Sequence, residues 1–256
     1  MKSKKPLIFC GSLAAMLASS SIHAQTTYNG ASGSGGATDT WNIAGRWTAN
    51  VPAGAIDAII DPGKYVVVNA ATPTFSGNLD LGAGSTLQLG WTTVVPTAYN
   101  ALGTAGTTTI TMGAGSTITT RNGGSPVFPA ITLTGNATIN FGNSTQAPAQ
   151  ADFNHAITGP HTLTLTSNGQ GTQPLIELKA ANSFSALVIQ DIGGRGNPAD
   201  TFRANVAGSL GNGNVTVIGA SAAARSPQIR FSASNAMADS GILFLNGLGP
   251  TATGAD

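Results

Sequence analysis

The chain has 256 residues, of which 34 are glycine, 8% are charged and 41% are hydrophobic, and its formal net charge is +1. In a soluble globular domain about a quarter of the residues are usually charged, whereas Thr, Ser, Asn and Gly supply most of the polarity here. The apolar content argues against a solvated disordered tail. The arginines are scattered singly without a basic patch, which argues against nucleic acid as a partner.

Residues 1–24 have the three-part pattern of a secretory signal peptide. The basic stretch MKSKK precedes an apolar run from Leu7 to Leu17, which is shorter than the roughly 20 residues of a membrane span. Cleavage after Ala24 would leave a mature chain without cysteine, since Cys10 is the single one, and therefore without disulfides. We predict a protein that is secreted or displayed on the cell surface.

Residues 25–70 differ from the rest of the mature chain because they contain Trp41 and Trp47 and a non-alternating apolar run at 65–68. The end of a repeating β-structure exposes its core and needs an atypical covering element. We therefore predict that residues 25–70 form an N-terminal capping segment. The alternative is that Trp41 and Trp47, together with Trp91, are carbohydrate contacts, because flat indole rings stack on sugars.

Residues 71–256 contain short runs in which large apolar residues fall on every second position, and Gly or Asn bounds each run. This period of two places the apolar side chains on one face of a β-strand. Turn signals recur about every ten residues, which is typical of an all-β fold. The alternating pairs expected to point inward are Leu79 and Leu81, Leu87 and Leu89, Ile110 and Met112, Ile131 and Leu133, Ile139 and Phe141, and Leu163 and Leu165.

The pentapeptide GAGST occurs twice, at 82–86 and again at 113–117. An alternating run precedes and follows each copy, so the pentapeptide reads as a corner between two strands, where glycine supplies permissive backbone angles. We predict that the two copies lie at equivalent corners of successive coils, with Leu87 and Ile118 pointing inward.

The fold class predicted from these patterns is all-β, and the architecture is a right-handed parallel β-helix, or β-solenoid, with an N-terminal cap. Its coils cover one another's edges, so strands as short as these are sufficient. The alternative is a β-sandwich, which usually has longer strands and a more aromatic core than the 6% of aromatic residues here.

Two stretches resemble bacterial autotransporter-associated β-strand repeat proteins. WNIAGRWTANVP at 41–52, followed by AIDAII, is similar to the N-terminal stretch of that family. ANSFSALVIQ at 181–190 and FRANVAGSLGNGNVTVI at 202–218 are similar to its repeat core, although Ser185 to Leu187 replaces a turn and GGRGNPAD at 193–200 looks inserted. The resemblance implies a secreted or surface-displayed β-helical passenger of a Gram-negative bacterium.

The residue types needed for catalysis are sparse. Asp57 and Asp61 lie four apart, about 13 Å along a strand, which exceeds the carboxylate separations of glycoside hydrolysis, so we interpret them as turn aspartates. Asp152, His155 and His161 are the nearest approach to a metal-ligand set, and Pro160 breaks their spacing. GGRGN at 193–197 lacks the aspartate and the tandem copies of a calcium-binding repeat. We predict no catalytic, cofactor or metal site.

The function expected from the sequence is that of a structural or adhesive passenger region, without catalysis, which contacts extracellular carbohydrate or other cell surfaces. The alternatives are a polysaccharide-active β-helix enzyme (a lyase or glycoside hydrolase) and a carbohydrate-binding module. The chain ends just after GILFLNGLG, and we expect it to be truncated at its C-terminus. An outer-membrane tether is expected only if a further C-terminal region supplies it.

Overall fold

The structure is a computed structural model, and it describes nine segments of the chain. The predicted signal peptide, except Ala24, and Trp91 lie outside these segments. The described residues are 24–30, 40–68, 75–90, 108–120, 126–142, 150–167, 175–191, 201–219 and 227–246.

The 19 described strands form three parallel sheets, so the predicted parallel β-helix is confirmed and the β-sandwich, which consists of antiparallel sheets, is not found. Sheet 1 contains β1 (Gln25–Tyr28), β2 (Asp57–Ile60), β4 (Leu79–Leu81), β6 (Thr109–Met112), β9 (Ala130–Leu133) and β12 (Ile157–Thr158). Sheet 2 contains β3 (Tyr65–Val68), β5 (Thr86–Leu89), β7 (Thr117–Thr120), β10 (Ala137–Phe141), β13 (Thr162–Ser167), β15 (Ala186–Asp191), β17 (Asn214–Ile218) and β19 (Leu243–Asn246). Sheet 3 contains β8 (Val127–Phe128), β11 (Gln150–Phe153), β14 (Leu175–Leu178), β16 (Thr201–Ala204) and β18 (Gln228–Phe231).

As far as β12, each coil has a strand in sheet 1, which from β2 onward is followed, after a corner, by a strand in sheet 2, and the later coils add a strand in sheet 3 from β8 onward. From β13 onward, the described strands alternate between sheets 2 and 3. Strands of one sheet therefore come from successive coils and pair in parallel, as Thr138 of β10 does with Thr117 on one side and Thr164 on the other. This arrangement satisfies the backbone hydrogen bonds of very short strands, because each strand bonds to the coil before it and the coil after it.

The core fills the space between the three sheets. All twelve apolar residues that the alternation predicted to point inward are at most 1% exposed, which confirms the period-two prediction. Sheet 3 adds an aromatic layer in which the rings of Phe128 and Phe153 stack at 4.5 Å and Phe141 meets both edge-on. This continuous apolar interior is the main stabilising feature of the rod.

The two GAGST segments lie at equivalent corners between sheets 1 and 2, as predicted. Thr86 pairs with Thr117 and Leu87 with Ile118, and both apolar side chains are fully buried. Gly84 and Gly115 have positive φ angles of 66° and 71°, which glycine adopts at no steric cost. The N–H of Gly84 donates to the carbonyl of Ala114, so the corners also stack directly on one another.

An aromatic cluster covers the first described coil. The Trp41 and Trp47 rings meet edge-on at 5.0 Å, and Tyr28 and Phe75 pack against them. An antiparallel bridge between Tyr28 and Trp47 turns the chain back on itself here. Within the range 25–70, β2 and β3 pair in register with β4 and β5 of the next coil.

Side-chain amides connect the coils outside the sheets. The buried Asn182 accepts a hydrogen bond from the N–H of Ile157 in the preceding coil and donates to the carbonyl of Ser209 in the following one. The Oδ1 atoms of Asn136 and Asn214 accept from the backbone N–H groups of Thr162 and Ile242 in the next coil. Asparagine at the corners therefore joins coils where strand pairing stops.

Candidate functional site

The tryptophans proposed as carbohydrate contacts are core residues in this structure. Trp41 is 1% exposed and Trp47 is 4% exposed. Their indole N–H groups donate to the carbonyls of Pro52 and Trp41, at 3.2 and 2.8 Å. Both rings pack edge-on among other aromatic rings of the cap, so neither is accessible to a sugar in this structure. Trp91 lies outside the described residues.

The outward rows of sheets 1 and 2 are largely uncharged and rich in threonine. In sheet 1, Thr111, Thr132 and Thr158 follow one another across three strands, and the hydroxyls of Thr132 and Thr158 lie 3.4 Å apart. In sheet 2, Thr117, Thr138 and Thr164 do the same. These faces present hydroxyl groups at regular intervals of about 4.8 Å, the spacing of neighbouring strands.

Sheet 3 carries a different outer surface, which we call the charged face: Gln150, Asp152, Glu177, Lys179, Arg203, Asn205, Gln228 and Arg230. Four of these residues form one row across adjacent strands, because Asp152 pairs with Glu177, Glu177 with Arg203, and Arg203 with Arg230. Because only 8% of the residues of the chain are charged, this row is a local concentration of positive and negative side chains.

Glu177 is the centre of the charged face. Its Oε1 atom accepts hydrogen bonds from Arg203 Nη1 at 3.1 Å and Asn205 Nδ2 at 3.0 Å. Its Oε2 atom accepts from Gln150 Nε2 and lies near Lys179 Nζ, both at 3.0 Å. Both carboxylate oxygens are thus occupied by partners from three strands or their ends, which holds three successive coils together.

The charges of this cluster alter two pKa values. Burial raises the pKa of Glu177, but hydrogen bonds from Asn205 and Lys179 and the positive charges of Lys179 and Arg203 outweigh burial and hold it below 4.5. Burial lowers the pKa of Lys179, but its hydrogen bonds to Asp152 and Glu177, and their negative charges, raise it above its ordinary value. Both residues are therefore charged at neutral pH, as a stabilising network requires.

The lowered pKa of Glu177 predicts a loss of stability in acid. Because the folded state holds this proton more weakly than the unfolded state, the stabilisation is present above pH 4.5 and disappears as the pH falls through the lowered value. We expect Glu177→Gln to reduce the slope of Tm against pH below pH 4.5, measured by circular dichroism. The matched control is Asp239→Asn, since Asp239 is exposed and forms no ion pair among the described residues. Equal slopes for Glu177→Gln and the wild type would contradict the prediction.

A second polar location is a shallow pocket of about 200 Å³ on the outer side of sheet 1, near its first strands. Asp57 and Asp80 both line it, with Asn78 and Thr111 beside them. Asp57 is the first residue of β2 rather than part of a turn, and its Oδ1 accepts the backbone N–H of Asn78 at 2.7 Å. Partial desolvation in the pocket raises the pKa of Asp80, although the residue is exposed by its accessible surface. The pocket therefore contains two carboxylates, of which that of Asp57 accepts a backbone hydrogen bond.

His155 and His161 belong neither to the charged face nor to the residues that line the pocket beside Asp57 and Asp80. Asp152 lies on β11 in the charged face, where its Oδ1 meets Lys179 Nζ at 3.0 Å, whereas His155 and His161 lie at the two ends of the short segment that includes β12. Within the described ranges, no three His, Cys, Asp or Glu side chains come together in a way that could hold a metal ion. Asp61 lies in the corner after β2, away from the charged face.

Sequence patterns did not predict the charged face, because the residues of its row lie 25, 26 and 27 positions apart, beyond the reach of a strand or turn pattern. A signal was present, since Asp152, Glu177, Arg203 and Arg230 each follow the first inward residue of a short strand. Aligning those strands on their inward residues would have placed the four charges in one row. Glu177, the single glutamate of the chain, predicts no site when it is considered alone.

None of the helical structure in the described part of the chain is long and apolar enough to cross a bilayer. Comparison of the whole chain with protein-family models, with curated proteins and with solved structures finds no match.

Proposed function

We propose that the chain is an exported, non-catalytic β-helical rod that contacts carbohydrate or other surfaces outside the cell through its outer faces. Export is inferred from the signal-peptide pattern of residues 1–24, and display from the resemblance to autotransporter-associated repeat proteins. The observation that carries the proposal is the state of the charged face: the carboxylate of Glu177 has both its oxygens engaged by Arg203, Asn205, Gln150 and Lys179.

A carboxylate in that state is suited to structure rather than to proton transfer. A general acid in glycoside hydrolysis needs a raised pKa and access to the glycosidic oxygen. Glu177 has a lowered pKa and is 7% exposed. Lys179 and Gln150 also contact the nearby Asp152, so the same cation and the same amide hold both carboxylates in place. The accessible groups of the outer faces include hydroxyl, amide and guanidinium groups, which can bind a ligand through hydrogen bonds.

The proposal is tested by binding and turnover measured on the same samples. We expect the purified chain to bind a subset of polysaccharides in a glycan array or a pull-down with insoluble polymers, and to leave the bound polymer intact. Reducing ends and unsaturated sugars, measured over hours, report cleavage. Absence of binding to every glycan and to whole cells would overturn the proposal, and so would cleavage of the bound polymer.

The pocket beside Asp57 and Asp80 is the observation that favours the second candidate, a polysaccharide-active enzyme. Two carboxylates line one depression, and the raised pKa of Asp80 is a property of a general acid. The enzyme hypothesis predicts that Asp80→Asn abolishes any release of reducing ends while binding is retained. The proposed non-catalytic function predicts no release from either the wild type or the variant.

A further inference from the structure

The last two strands of sheet 3 place two arginines side by side on the charged face. Arg203 of β16 and Arg230 of β18 are partners in the parallel register, so they occupy the same row on adjacent strands. Neighbouring strands lie about 4.8 Å apart, and like charges directly opposite each other destabilise a sheet. The described residues contain no carboxylate between these two arginines, since the nearest one, Glu177, lies on the far side of Arg203.

The two guanidinium groups have unused hydrogen-bonding capacity. Arg203 donates through Nη1 to Glu177, and Arg230 donates through Nη2 to Gln228 at 3.3 Å. Arg230 is exposed and Arg203 is half-buried, and neither has any other side-chain partner in the described ranges. Each guanidinium group carries five N–H donors in a fixed fork, which matches the two oxygens of a carboxylate or sulfate.

The charge balance of the charged face leaves one cation in excess. Asp152 and Glu177 carry the negative charges, and Lys179, Arg203 and Arg230 carry the positive ones. Lys179 is held between the two carboxylates at 3.0 Å from each, and Arg203 compensates Glu177. Among the described residues, the uncompensated charge is therefore that of Arg230, at the end of the row beside Arg203.

From this arrangement we propose that Arg203 and Arg230 bind an acidic polysaccharide, one in which successive sugars carry carboxylate groups. An anion between the two guanidinium groups would remove their mutual repulsion. Neighbouring strands lie about 4.8 Å apart, so the two arginines offer two adjacent cationic positions along which a linear polyanion can lie. Gln228 and Asn205 lie beside the row and supply amide groups for the sugar hydroxyls. This inference rests on the proposed carbohydrate-binding function and names its ligand class.

The test uses polygalacturonate as the probe and its methyl-esterified form as the neutral probe of the same backbone. We expect the purified full chain to bind polygalacturonate more tightly than the methyl ester, with binding that weakens as salt is added. Arg230→Gln is expected to raise Kd for polygalacturonate by up to about fivefold, because it removes one exposed charge, and Arg230→Lys is expected to retain part of the affinity. Arg230 has no ion-pair partner among the described residues, so folding should survive both changes, which circular dichroism checks.

Arg46→Gln is the matched control, because Arg46 lies in the short 3-10 turn Ala44–Arg46 at the other end of the rod. Its Kd should equal that of the wild type. Equal affinity for the two probes, or an unchanged Kd in Arg230→Gln, would overturn the inference while leaving the proposed function intact if other glycans bind. A chain that binds no glycan and no cell surface would overturn both.

Discussion

Replacing Phe153 by alanine is expected to lower the free energy of unfolding by about 3 to 5 kcal/mol, the usual cost of removing a large buried aromatic side chain. Phe153 is 1% exposed and lies in the middle of the rod. Its ring stacks on Phe128 with an interplanar angle of 5° and meets Phe141 edge-on at 6.1 Å. Neighbouring coils therefore lose contacts at once, because the three rings come from different strands of sheets 3 and 2.

The measurement is chemical unfolding followed by circular dichroism, with the midpoint and slope fitted together. A solenoid whose coils contact only their neighbours can unfold in parts, so a second transition or a reduced slope is also an expected consequence of a break at this layer. Phe153→Leu refills part of the cavity and should cost less than the alanine variant. Phe244→Ala is the exposed control, since that ring is 42% exposed. A loss below about 1 kcal/mol in Phe153→Ala would contradict the aromatic layer.

Trp41→Ala is expected to have the second large effect, again about 3 to 5 kcal/mol, because it opens the cap of the first coil. Trp41 is fully buried, packs edge-on against Trp47 at 5.0 Å and Phe75 at 5.3 Å, and donates its indole N–H to Pro52. Deleting the ring leaves a cavity and exposes the core cross-section that the cap covers. Unfolding monitored by tryptophan fluorescence and circular dichroism gives the change.

Two comparisons separate a cap from a sugar platform at this position. Trp41→Phe keeps a ring but loses the hydrogen bond to Pro52, so an intermediate stability is expected. Ile43→Ala, two residues away and 36% exposed, should change stability by less than about 0.5 kcal/mol. A Trp41→Ala variant that is as stable as the wild type but has lost glycan binding would show that the indole serves recognition instead.

The variants of Phe153 and Trp41 can be compared with those of the charged face to separate effects on stability from effects on binding. Both act on the interior, whereas the variants of Glu177 and Arg230 act on the charged face. We expect the interior variants to lower stability and the Arg230 variants to lower affinity for the polysaccharide. Glu177 affects both properties. Its carboxylate joins three coils, and it also holds Arg203, the register partner of Arg230. We therefore expect Glu177→Gln to alter acid stability first, and binding only through Arg203.

The strands and the corners could be predicted from the amino-acid sequence, because both depend on local properties. Alternation such as Leu87-Gln88-Leu89 gives one apolar face whatever the rest of the chain does, and Gly84 and Gly115 permit the positive φ of a tight corner. The inward orientation of Leu87 and Ile118 and their pairing followed directly from the repeated GAGST.

The contacts between residues of different coils depend instead on how the coils stack in three dimensions. The pairing partners of β11, β14, β16 and β18 are set by the stacking of whole coils. No local stretch of the sequence therefore shows the row of Asp152, Glu177, Arg203 and Arg230, whose members lie 25, 26 and 27 residues apart. The same holds for Trp41 and Trp47, since an indole ring is suited to both a core and a sugar platform. Their burial depends on Tyr28 and Phe75, which the stacking of coils brings against them.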